Sequence, residues 1–192
     1  MENIIKHLDK LSTSSNKVKL YKEFGPNVIL HHCGKIVEEV DKQYIEFLKI
    51  TNGAYILGWV FLGLKNRELS ENVYDFMRNL YDDNYILCSQ FWGFARNEKG
   101  QVIGYLKIKD ARNNHFIGYY DPITPEEIFI ISSSFNIFIE KFLVVAENAL
   151  TSNEKISYLK EDFLLNSNDL IVGDLELQDY MSKHGNSLIY RL

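Results

Sequence analysis

Apolar residues recur along this chain in two rhythms, one helical and one strand-like, and each change of rhythm marks an element. Ile4, Ile5, Leu8 and Leu11 share a helical face, so residues 3–11 read as a short helix. STSSN (12–16) reads as a polar loop. Residues 17–34 alternate only weakly, and Pro26-Asn27 marks a turn before NVILHH, which offers a strand. The clearest early helix spans 37–51, where Val40, Tyr44, Phe47, Leu48 and Thr51 form one stripe. Asn52-Gly53 is read as its stop, because glycine enters the left-handed region without a Cβ clash. The uncharged run 55–64 follows at once and is read as one buried strand interrupted by Gly58 and Gly63.

A second helix is expected over 70–81, with Ser70 as N-cap and a stripe of Val73, Phe76, Met77 and Leu80. Asp82-Asp83-Asn84 ends it. NYILCS (84–89), FWGFAR (91–96), QVIGYLKI (101–108), FIGYYD (116–121) and EIFII (127–131) are short, aromatic and β-branched, as strands are. NEKG (97–100) is a tight hairpin turn in which Gly100 supplies the positive φ. A long helix over 133–150 buries Phe135, Phe138, Ile139 and Phe142. In the tail, EKISYLKEDFL and DLELQDYMSKH are helical, punctuated by Gly173 and Gly185. Consecutive, closely spaced strands favour an antiparallel sheet with helices packed against it, an α+β fold. The expected organisation is one α+β domain over 1–150 and an acidic helical extension over 151–192, packed on the domain or appended to it.

Composition narrows the classes. The 192 residues are 46% hydrophobic and 14% aromatic with three prolines, enough for a sizeable core and unlike a disordered chain. The net charge of −5 and the lack of a Lys/Arg block argue against a nucleic-acid partner. Acidity concentrates in the tail, where Glu154, Glu161, Asp162, Asp169, Asp174, Glu176 and Asp179 outnumber Lys155, Lys160, Lys183 and Arg191. Such a surface serves solubility or meets a basic partner. The longest uncharged runs, 53–64 and 128–139, fall short of the roughly 20 residues a membrane helix needs. MENIIKHLDKL has no apolar signal stretch, and Cys33 and Cys88 match no disulfide framework. The expectation is a cytoplasmic protein with reduced thiols and no membrane partner.

Candidate chemistry is sparse. His31 and Cys33 would share one strand face, but zinc needs three or four ligands and no second cluster is visible. Cys88 within YILCSQF reads as a core thiol. No G-x-S-x-G or phosphate loop occurs. The expectation is therefore no metal, no cofactor and no catalytic residue.

YIEFLKITNGA (44–54) resembles the FL-x-x-TNG signature of the SUKH superfamily, whose members include bacterial toxin-immunity proteins and a fungal regulator of cell-wall synthesis. The aromatic strand GWVFLGL, the FWGF segment leading into NEKGQVIGYLKI, the strand end GYYDP and SSFNIFIEKFL follow in the order that family shows. The likeness covers about residues 37–148 and does not describe 151–192. It implies a twisted sheet flanked by helices and a protein that acts by binding another protein. That partner would be a cognate nuclease or deaminase toxin or, alternatively, a housekeeping protein held by a regulatory scaffold. Phe47, Leu48, Thr51, Asn52, Gly53, Gly93, Phe135 and Phe138 are its structural motif positions. Trp59, Asp82, Asp83, Trp92 and Glu98 are the candidate partner contacts. For the tryptophans the competing reading is core filling, and for Asp82-Asp83 a solvated helix end.

Overall fold

The computed structural model describes residues 2–23, 41–64, 71–151, 172–185 and 187–192. The expected strand NVILHH, residues 37–40, Ser70 and the segment EKISYLKEDFL lie outside the described residues.

Helix α1 (Glu2–Ser14) buries Ile4, Leu8 and Leu11, and strand β1 (Val18–Leu20) follows. Helix α2 (Lys42–Ile50) starts at Asp41, whose Oδ1 accepts hydrogen bonds from the N–H groups of Gln43 (2.7 Å) and Tyr44 (3.3 Å). Its buried face is Tyr44, Phe47 and Leu48. The helix does not end in a left-handed residue, as the sequence suggested. Thr51 is extended at φ −148°, and the positive φ of +87° falls two residues later, at Gly53. Glycine is required there for space as well: a Cβ on Gly53 would sit 2.5 Å from the Phe61 carbonyl oxygen.

The run 55–64 is two strands, not one. β2 (Ala54–Ile56) and β3 (Trp59–Phe61) pair across a two-residue turn in which Leu57 (φ 48°) and Gly58 (φ 89°) are both positive. Two positive φ angles match the right-handed twist of a hairpin. Helix α3 (Val73–Asp83) is capped by Asn72. NYILCS, expected as a strand, is helix α4 (Tyr85–Gln90), because Asn84 Oδ1 accepts the Leu87 N–H (3.0 Å) and so starts a helical turn. Strands β4 (Phe91–Arg96), β5 (Val102–Lys109), β6 (His115–Tyr120) and β7 (Glu127–Ser132) then meander, followed by α5 (Phe135–Thr151). The described tail holds α6 (Leu175–Lys183) and β8 (Ile189–Arg191).

The eight described strands lie in chain order, β1 to β8, and every neighbouring pair is antiparallel. The fold is α+β. Phe94 meets Tyr44, Phe135 and Phe138 at ring distances of 5.7, 5.2 and 5.9 Å, so α2 and α5 cover one face. Gly93, the preceding residue, faces α3: its N–H points at Met77 Sδ (3.1 Å), and a Cβ would meet the Phe76 ring at 2.7 Å. The sheet is thus sandwiched between helices at β4.

The strand β8 was not anticipated by the helical reading of the tail. It pairs with β7 through Glu127↔Arg191, Ile128↔Tyr190 and Phe129↔Ile189. Wholly buried Asp174 anchors α6. Its carboxylate caps Leu177 N–H (3.1 Å) and accepts from Ser132 Oγ (3.1 Å) and Ser133 N–H (2.9 Å) at the β7–α5 junction. A buried carboxylate needs such donors to offset its desolvation.

Candidate functional site

The α3–α4 corner is assembled by two asparagines. Asn72 Oδ1 accepts from Tyr74 N–H (3.1 Å) and Asp75 N–H (3.2 Å), and Arg96 Nε reaches Glu71 (2.6 Å) to tie this end of α3 to β4. Asn84 both ends α3, donating its N–H to the Leu80 carbonyl (2.8 Å), and caps α4. The buried side of α3 is Val73 and Phe76. Its exposed side closes with Tyr81, Asp82 and Asp83, and Tyr85 and Ile86 follow at the start of α4. Tyr81, Tyr85 and Ile86 are 58, 64 and 50% exposed. The last turn of α3 has no base, so Asp82 and Asp83 stand where the helix dipole disfavours carboxylates.

Beside this corner a cleft of about 410 Å³ opens at the end of the β4–β5 ladder, whose last pair is Phe91↔Leu106. Half-buried Trp92 stacks on Tyr105 in its wall (6.1 Å between rings, 19° between planes). Tyr74, Met77 and Tyr81 line the α3 side. His115 donates Nδ1–H to the Leu106 carbonyl (2.7 Å), which fixes its tautomer when neutral. Cys88 also lines the cleft, half-buried rather than in the core as the sequence suggested. Burial pushes its thiol up to about 11, so at neutral pH it is protonated and unsuited to nucleophilic attack on a substrate.

The candidate contacts divide. Asp82 and Asp83 close α3, and Trp92 lines the neighbouring cleft with Tyr81. Trp59 does not join them: it is fully buried against Tyr119 (6.5 Å) and fills the core. Glu98 is exposed on the β4–β5 turn, at the far end of a six-residue strand and so about 20 Å away. Phe47, Leu48, Thr51, Asn52, Phe135 and Phe138 are all buried. Sequence reasoning missed Tyr81, Tyr85 and Ile86. The available signal was two tyrosines flanking an acidic pair with no alternation to bury them.

The family profile of the SMI1 / KNR4 family (SUKH-1) matches residues 39–141. The chain belongs to that family. The SUKH-1 match starts ahead of α2 and ends inside α5, so the α3–α4 corner and the cleft fall within it, while α1, β1, α6 and β8 fall outside. A comparison with curated proteins finds no match. Among the described residues, no helix is long and apolar enough to cross a membrane, and no group of three or more His, Cys, Asp or Glu could hold a metal ion. His31, His32 and Cys33 lie outside the described residues.

Proposed function

We propose that this SUKH-1 protein is a cytoplasmic immunity protein that acts without catalysis, neutralising a bacterial nuclease or deaminase toxin by occluding it. Family membership supports a protein-binding role. The observation that carries the choice of surface is the α3–α4 corner. Tyr81, Tyr85 and Ile86 are exposed beside two carboxylates placed against the helix dipole. Such residues do little for the fold, but they suit capture of a basic partner. Charge raises the rate of encounter, and desolvated aromatics lengthen residence. Asp82, Asp83 and Trp92 are the proposed contacts, extended by Tyr81 and Tyr85.

Affinity capture from the host lysate with tagged protein, read by mass spectrometry, tests this. The expected result is a stoichiometric, basic, nuclease-like or deaminase-like protein whose toxicity is relieved by co-expression. Stoichiometric capture of a metabolic or cell-envelope protein would replace this reading with that of a regulatory scaffold.

A further inference from the structure

Beside the aromatic cleft lies a second chamber of about 280 Å³, and Asp41 and His115 line both. Their linings differ in kind. The first is aromatic, with Trp92, Tyr105, Tyr74 and Tyr81. The second is basic and amide-rich, with Lys42, Lys109, Arg112, Gln43 and Asn114. Exposed Arg78 and Lys107 add two further cations to the first chamber. In a chain of net charge −5, this concentration of positive charge runs against the overall balance.

The basic chamber has a built floor. Asp110 folds the β5–β6 loop by accepting from Arg112 N–H (2.9 Å), Asn114 N–H (2.7 Å) and Asn114 Nδ2 (2.9 Å), so its carboxylate is spent on the loop. Gln43 then ties that loop to two helices: Nε2 donates to Asn114 Oδ1 (3.1 Å), and Oε1 accepts the Asn136 N–H (2.8 Å). Asp41, the shared acid, is similarly engaged in capping α2. Arg112 contacts Glu176 at 3.3 Å, but its side chain stays 74% exposed. His115 lines both chambers, with Nδ1–H committed to the Leu106 carbonyl and its ring edge-on to Tyr105 (6.0 Å).

We infer that the two adjacent chambers bind a nucleoside monophosphate, the planar base against half-buried Trp92 and the phosphate beside Lys109, Arg112 and His115. A flat heteroaromatic ring stacks on an aromatic wall, and a phosphate seeks clustered Arg and Lys donors. The larger chamber lies within the roughly 300–1,000 Å³ typical of small-molecule sites. This site goes beyond the protein-binding role proposed above, although it shares Trp92 and Tyr81 with that surface, and its test by ligand titration needs no protein partner.

The test is titration of the full chain with adenosine monophosphate and, separately, with adenosine, inorganic phosphate and a single-stranded oligoadenylate, followed by tryptophan fluorescence and calorimetry. The expected result is saturable binding of the monophosphate at or below about 1 mM. Adenosine and phosphate alone should each bind at least about tenfold more weakly. Lys109→Gln/Arg112→Gln, at one half-buried and one exposed position, should abolish the phosphate preference, and retained adenosine affinity separates that loss from unfolding. Trp92→Phe should weaken binding of monophosphate and adenosine alike. No saturable binding at about 1 mM, or unchanged affinity in the double variant, would overturn the site. Tighter binding of the oligonucleotide than of the monophosphate would overturn its assignment to a free nucleotide.

Discussion

Two helices in this protein end in a short polar stretch, and they end in opposite ways. At the end of α2, Thr51 and Asn52 are turned inward. Thr51 Oγ1 meets the Tyr21 N–H (3.1 Å) and the carbonyls of Tyr21 (3.0 Å) and Gly53 (2.6 Å). Asn52 clasps Leu64 with both ends of its amide, at 3.0 and 2.7 Å. Lys49 stands in the last turn, where a cation suits the dipole. At the end of α3, two carboxylates stand in the last turn with no base, flanked by aromatic residues left in water. The first end is spent on folding. The second ignores local stability, and the proposed binding role rests on that mismatch.

Substitutions break the comparison unequally. Gly53→Val should be the most damaging, since a side chain at φ +87° is strained and would strike the Phe61 carbonyl. A loss of about 3 kcal/mol is expected, read as a fall of about 6–12 °C in melting temperature for a chain of this size. Asp174→Ala should cost about 2 kcal/mol in denaturant unfolding, because it removes the cap of α6 and strands the buried Ser133 N–H. At the α3–α4 corner the sign reverses: Asp82→Lys/Asp83→Lys should leave stability unchanged or raise it by about 0.5 kcal/mol. The smallest effect belongs to the half-buried link between α1 and α5, where Glu147 takes hydrogen bonds from Lys10 and from His7 (2.7 Å). Lys10 first, and His7 after it, hold the Glu147 carboxyl below its ordinary value of 4.5. A depressed carboxylate stabilises the fold above that value and loses its contribution as pH falls through the folded value. The melting difference between wild type and Glu147→Gln should therefore be present at neutral pH and fade below pH 4.5.

The fold was largely legible because its central strands announce themselves. FWGFAR is β4 residue for residue, and NEKG turns it into β5. Three elements hid for physical reasons. YILC is too short an apolar run to separate helix from strand, and a single asparagine amide at its start decides for helix. The Leu57-Gly58 turn carries no polar signal, since a fully buried leucine occupies a positive-φ position usually given to Asn or Asp. β8 is three residues long, and its pairing with β7 is set by tertiary contact rather than local pattern. The site was legible in part. Asp82 and Asp83 could be seen as a pair, but the exposure of Tyr81 and Tyr85 and the burial of Trp59 depend on which face each element turns to the sheet. Asp174 looked like one more acid in an acidic tail, and only its meeting with Ser132 and Ser133 gives it a structural role.

The central claim is that the α3–α4 corner serves a partner and not the fold. The direct test measures melting temperature and partner capture side by side for wild type and Asp82→Lys/Asp83→Lys/Tyr85→Ala. The account predicts an unchanged or higher melting temperature together with loss of the captured toxin. A melting temperature that falls as far as that of Gly53→Val, or full retention of the partner, would contradict it.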